Sequence, residues 1–167
     1  MKKADTLSNP ATEAASTVPA VNPPLPTLRI LVVEDNVVNQ RVVQMQLKKM
    51  GYDPDFANNG RAALQALERV TYDVVFMDCQ MPEMDGYEAT RCLRRDHRFA
   101  RLPIVAMTAN AMAGDREKCL AVGMNDFVAK PTREANLLAA LERVIQLRGL
   151  RPPAEVGIVA GATGLAG

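Results

Sequence analysis

Five polar residues sit where apolar runs of the chain stop. Glu34 and Asp35 follow LRILVV, Asp78 follows DVVFM, Thr108 ends PIVAMT and Lys130 ends DFVAK. If these runs are strands of one sheet, three acids, a hydroxyl and an amine meet at one edge. Converging carboxylates repel: at about 4 Å and an effective dielectric of about 20, each pair costs about 4 kcal/mol before screening. A hard divalent cation removes that cost, and Mg²⁺ suits a site with a few carboxylates, retained waters and a phosphoryl group. Phosphoryl transfer spreads charge over three equatorial oxygens, which an ammonium and a hydroxyl stabilise. In this reading Asp78 is the nucleophile and becomes an acyl phosphate, while Lys130 and Thr108 hold the added oxygens. Two blander readings compete. Glu34 and Asp35 cap the first helix with Asp78 an incidental loop acid, or Lys130 and Asp78 form a structural ion pair; neither uses Thr108.

The elements that must position these residues are legible as apolar periods. LRILVV (Leu28 to Val33), Asp53 to Ala57, Asp73 to Met77, Pro103 to Thr108 and Asp126 to Lys130 read as strands. Helical patterns separate them: Val37 to Met50, Gly60 to Arg69, a helix after Gly86, and Ala111 to Val122 ended by Gly123. Thr132 is placed to cap a last helix in which Leu137, Leu141, Val144 and Ile145 recur at helical spacing. Strands apolar on both faces, alternating with helices, predict an α/β fold with a mostly parallel sheet covered on both sides. In such folds ligands bind beyond the carboxyl ends of the strands.

Length and composition predict a single domain. The chain has 167 residues, 48% hydrophobic and 23% charged, with a formal net charge of +1. That charge, with no clustered basic face, argues against nucleic acid and anionic membrane as partners. Three unevenly spaced cysteines without a CxxC favour a reduced, cytoplasmic setting. Residues 1–27, rich in proline and small side chains, read as a linker, and residues 149–167 as a flexible Gly/Ala-rich tail, leaving 28–148 as the domain. The first turn, VEDNVVNQ, lacks the G-x-G-x-x-G of a dinucleotide site. Gln80 stands where a phosphohydrolase wants a second acid.

ILVVEDNVVNQ, VVFMDCQMPEMDGYEAT, PIVAMTANA and NDFVAKP together resemble the receiver (response-regulator) domain of two-component phosphorelays over about 120 of the 167 residues. The 43 residues from Asp35 to Asp78, 30 from Asp78 to Thr108 and 52 from Asp78 to Lys130 fit that family. The resemblance implies a flavodoxin-like (βα)5 doubly wound parallel sheet of strand order 2-1-3-4-5. It implies that Asp78 accepts a phosphoryl group from a partner's phosphohistidine and slowly loses it by hydrolysis. It further implies Mg²⁺ held by Asp35, Asp78 and the Gln80 carbonyl, with Glu34 acting through water, and a cis Lys130-Pro131 bond. Thr108 and Phe127 match the family's switch pair, in which the hydroxyl moves to the phosphoryl group and the aromatic ring turns inward; a fixed core Phe127 is the other reading.

EDNxxNQ with MDCQMPEMDGYEAT is most similar to receivers of hybrid histidine kinases. The implied partners are a histidine kinase dimerisation/phosphotransfer domain or a histidine phosphotransfer protein, with the receiver itself a monomer or weak dimer. The other class of reading is a receiver fold kept as an interaction module without phosphorylation. Asn39 is expected to border the partner surface, and Val38 either meets a partner helix or packs on the sheet. Met81 and Met84 either touch a partner or pack their loop, which Pro82 and Gly86 shape. Cys79 reads as buried filler pointing away from Asp78, and His97 as a surface residue.

Overall fold

A computed structural model describes residues 25–150. Most of the expected linker and tail therefore lies outside the described residues. The elements run β1 (Ile30–Val33), α1 (Val37–Lys49), β2 (Asp55–Ala57), α2 (Gly60–Arg69), β3 (Val74–Asp78), α3 (Gly86–Arg95), β4 (Ile104–Thr108), α4 (Ala113–Ala121), β5 (Asp126–Ala129) and α5 (Glu134–Leu147). A 3-10 turn at His97–Phe99 was not legible in the sequence. All strand pairs are parallel, in the order β2-β1-β3-β4-β5, as expected.

Alternation along the strands divides the core into two layers. Ile30, Val32, Val74, Phe76, Val105 and Met107 face Val43 and Leu47 of α1 and Leu137, Leu141 and Val144 of α5. Leu31, Val33, Val75, Met77, Ile104 and Ala106 face Ala63 and Leu67 of α2, Ala89 and Leu93 of α3, and Cys119 of α4. Each side chain on β1, β3 and β4 is buried, because helices cover both faces. Leu25 packs against the first layer and the Tyr52 hydroxyl donates to the Pro26 carbonyl at 3.1 Å, so the chain is tied down before β1.

One competing reading and one expectation about helix starts do not hold. Glu34 and Asp35 do not cap α1: the Asn36 side chain accepts from the Val38 and Asn39 N–H groups. Thr132 does not cap α5, which begins at Glu134 after an extended Arg133 that makes no side-chain cap. Thr132 is buried, and its carbonyl accepts from Gln46 Nε2 of α1 at 2.8 Å. Helix α4 is two residues shorter at its start than its pattern suggests, and it ends as expected at Gly123, whose φ is +100°.

Candidate functional site

The sheet register brings the sequence-derived residues together. Val33 is level with Met77, so Glu34 and Asp78, the next residue of each chain, emerge side by side. Thr108 is level with Ala129, after which comes Lys130. Strand order reverses direction between β2-β1 and β1-β3, a topological switch point of the kind that opens a crevice at the strand ends. The crevice here holds about 220 Å³ and is lined by Glu34, Asp35, Asp78, Thr108 and Lys130, with Tyr87 and Asp115 at its sides.

Lys130 is the centre of charge in the cleft. Its Nζ lies 2.8 Å from Asp78 Oδ2 and 2.6 Å from Glu34 Oε2. The Glu34 contact is short but poorly angled, and is an ion pair without hydrogen-bond geometry. Asp78 Oδ1 accepts from the Gln80 N–H at 3.1 Å. Carboxylate oxygens of Glu34, Asp35 and Asp78 lie within 4.8 Å of one another; Glu34 and Asp78 are buried and Asp35 is exposed. Burial raises the Asp78 carboxyl above its ordinary range; the hydrogen bonds from Lys130 and Gln80 offset part of that rise, and the Glu34 charge adds to it. For Lys130, burial acts downward, but its contacts with Asp78 and Glu34 outweigh it and the net direction is up.

An all-oxygen donor set suits Mg²⁺, which holds opposite ligands about 4.2 Å apart at its ordinary bond length of about 2.1 Å. The 4.8 Å spread of the three carboxylates needs only slight closing to reach that span. The residues present therefore fit the ion.

Thr108 and Phe127 are beside the cleft without being engaged by it. The Thr108 hydroxyl donates to the Asn110 carbonyl at 3.1 Å and accepts from the Asn110 N–H at 3.2 Å. Phe127 is half-buried against the second core layer, with the Arg116 guanidinium 5.5 Å from its ring centre. The loop after Asp78 is tight: Met84 N–H donates to the Pro82 carbonyl at 2.9 Å around Glu83, whose φ is +69°. Gly86 is required by space and not by φ, since a Cβ there would collide with the Asp78 carbonyl. Met81 and Met84 pack on the second core layer. The Lys130-Pro131 bond is cis.

Other side chains settle open alternatives. Val38 is 70% exposed, which rules out packing on the sheet, and Val37 and Met45 are exposed with it. Cys79 is buried 3.8 Å from Cys119 Sγ, and its thiol is pushed up to about 12, chiefly by burial. The side chain of His97 is 97% exposed. Sequence reasoning missed the role of two asparagines. Asn36 caps α1, as an Asn directly before a helical run signals. The Asn39 amide points inward, donating to Glu34 Oε1 at 3.1 Å, which spacing alone did not reveal. A larger cleft of about 610 Å³ lies at the opposite end of the sheet, around Tyr72 and Leu102. It lacks converging acids, and its Arg98 and Arg148 are paired with Asp96 and Asp73.

The response regulator receiver domain family matches residues 30–142, which include every residue of the acidic cleft. The chain belongs to this family. A receiver domain of sensor histidine kinase PA1611 from Pseudomonas aeruginosa PAO1, crystallised with a magnesium ion in its active-site cleft, is 46% identical. It covers 72% of this chain and 99% of its own, with a TM-score of 0.67. Hybrid signal transduction histidine kinase B of Dictyostelium discoideum is 43% identical over 121 residues, 66% of this receiver chain but 6% of the kinase. The receiver domain of the response regulator Ssk1, co-crystallised with the histidine phosphotransfer protein Ypd1 of Saccharomyces cerevisiae, is 28% identical. It covers 78% of this chain and 95% of its own, at a TM-score of 0.66. The curated relatives are much longer: this receiver spans from 6% to 16% of their lengths. Among its described residues, no helix is long and apolar enough to cross a membrane.

Proposed function

We propose that this chain is a phosphorelay receiver in which Asp78 accepts a phosphoryl group from a phosphohistidine. The observation that carries the reading is the meeting of Asp78, Glu34, Asp35 and Lys130 in one cleft, with Lys130 Nζ within 2.8 Å of two of the acids. A carboxylate oxygen of Asp78 forms the new bond to phosphorus. The P–N bond breaks, and its electron pair returns to the donor imidazole. Asp35, Asp78 and the Gln80 carbonyl would hold Mg²⁺ directly, with Glu34 acting through water. Once bound, the ion would supply charge for the phosphoryl oxygens and relieve the repulsion between acids.

Lys130 turns from Asp78 Oδ2 toward the added oxygens, and Thr108 exchanges its Asn110 partner for one of them. Phe127 then has room to move inward, leaving the Arg116 face, so a local charge event alters the surface of α4, β5 and α5. Water later returns the carboxylate by hydrolysis, which makes the chain a timer and not an enzyme acting on an external substrate. The magnesium-bound relative of 46% identity supports the metal assignment. The yeast receiver seated on a histidine phosphotransfer protein supports a partner of that class or a histidine kinase phosphotransfer domain.

The likeness to hybrid kinases supports a cytoplasmic receiver of a longer parent, with residues 28–148 as the functional unit. Incubation with Mg²⁺ and acetyl phosphate is expected to add about 80 Da, one phosphoryl group in place of a proton, on the peptide containing Asp78. Asp78→Asn is expected to gain nothing there. Equal labelling of the two proteins rejects the assignment.

A further inference from the structure

Glu34 is 1% exposed, and both of its oxygens are engaged. Oε2 meets Lys130 at 2.6 Å, while Oε1 accepts from the Asn36 N–H and from Asn39 Nδ2, each at 3.1 Å. The backbone carbonyl of Glu34 takes the Gln40 amide at 2.7 Å. Asn39 is thus the side-chain donor on the oxygen that faces away from Lys130. Its own position is set by α1, in whose first turn it lies and whose cap, Asn36, holds its N–H at 3.3 Å.

We propose that Asn39 is a positioning residue for the acidic cleft: its amide fixes Glu34 Oε1, so that the carboxylate is already oriented when Mg²⁺ arrives. This inference rests on the metal reading given above. Glutamate has one more torsion than aspartate and needs an added restraint to stay in one orientation. Without the amide, the carboxylate keeps one backbone donor and the pull of Lys130, which draws it toward Asp78. The ion must then order the carboxylate as it binds, and affinity falls. Because Asn39 is half-exposed and stands on the helix surface, its removal leaves the core intact.

The test is a titration of the full chain with Mg²⁺ alone, followed by the backbone amide shifts of Asp78 and Gln80. Asn39→Ala is expected to bind about tenfold more weakly than wild type, the lower end of the loss that removal of an outer-shell partner brings. In a Glu34→Asp background the carboxylate withdraws by roughly 1.5 Å, one carbon–carbon bond, beyond the reach of Asn39. There, adding Asn39→Ala is expected to change the affinity by less than about twofold, the additivity limit for uncoupled sites. Unchanged or tighter binding by Asn39→Ala overturns the proposal, as does the same loss in both backgrounds. A wild-type chain whose shifts ignore Mg²⁺ overturns the metal reading, and the Asn39 role with it.

Discussion

Burial works against the charged form of Asp78. Burial raises its carboxyl, so the folded state holds the proton more tightly than the unfolded chain does. A raised acid favours folding while protonated, and that contribution is lost as pH rises from the ordinary carboxylate range through the raised folded value. In chelator at pH 7, Asp78→Asn is therefore expected to melt higher than wild type. Relief of about 1 kcal/mol corresponds to about 3–5 °C for a domain of this size. The gap should narrow as pH falls and Asp78 takes up its proton. Calorimetry across pH measures both, and a lower melting point for the variant at pH 7 contradicts the burial account. Glu34, Asp35, Asp78, Thr108 and Lys130 were legible because each interrupts an apolar run. The inward turn of Asn39 was not, since helical spacing puts a residue on a face without saying which way its amide points.

Helix α1 carries the site on one side and an uncovered apolar stripe on the other. Val37, Val38 and Met45 are 64–70% exposed, beside the cleft proposed above for phosphotransfer. Val38→Glu is expected to slow phosphotransfer from a phosphorylated histidine phosphotransfer protein by about tenfold, the effect of about 1.4 kcal/mol at an interface. It should leave labelling by acetyl phosphate unchanged, because that donor needs no docking surface. Equal loss with both donors would place Val38 in the chemistry instead. Strand and helix order could be read from periodicity, but helix starts could not. Ala111 and Met112 fit the α4 pattern, yet Thr108 ties down the Asn110 backbone and holds the chain off the helix until Ala113. Thr132 has the chemistry of a cap, but its buried position and its carbonyl bond to Gln46 belong to the packing of α5 on α1.

At the scale of the molecule, residues 25–150 by themselves build two core layers and the acidic cleft. A chain cut to those residues is expected to keep its melting temperature and to label on Asp78 at a rate within about twofold of the full chain. Melting curves and intact mass measure this, and loss of folding would mean that the removed segments supply core. The sheet order was legible only through the resemblance, because alternation of strands and helices predicts a parallel sheet without ordering its strands.

Lys130 touches two buried carboxylates at once, and this has a kinetic side. A buried ammonium that had Asp78 as its sole counter-ion would have to shed it before reaching a newcomer, leaving an isolated charge for the duration. With Glu34 still 2.6 Å away, the amine can pivot between neighbours like a relay hand that never opens fully. In the proposed transfer, Glu34 thereby lowers the cost of freeing Lys130 from Asp78.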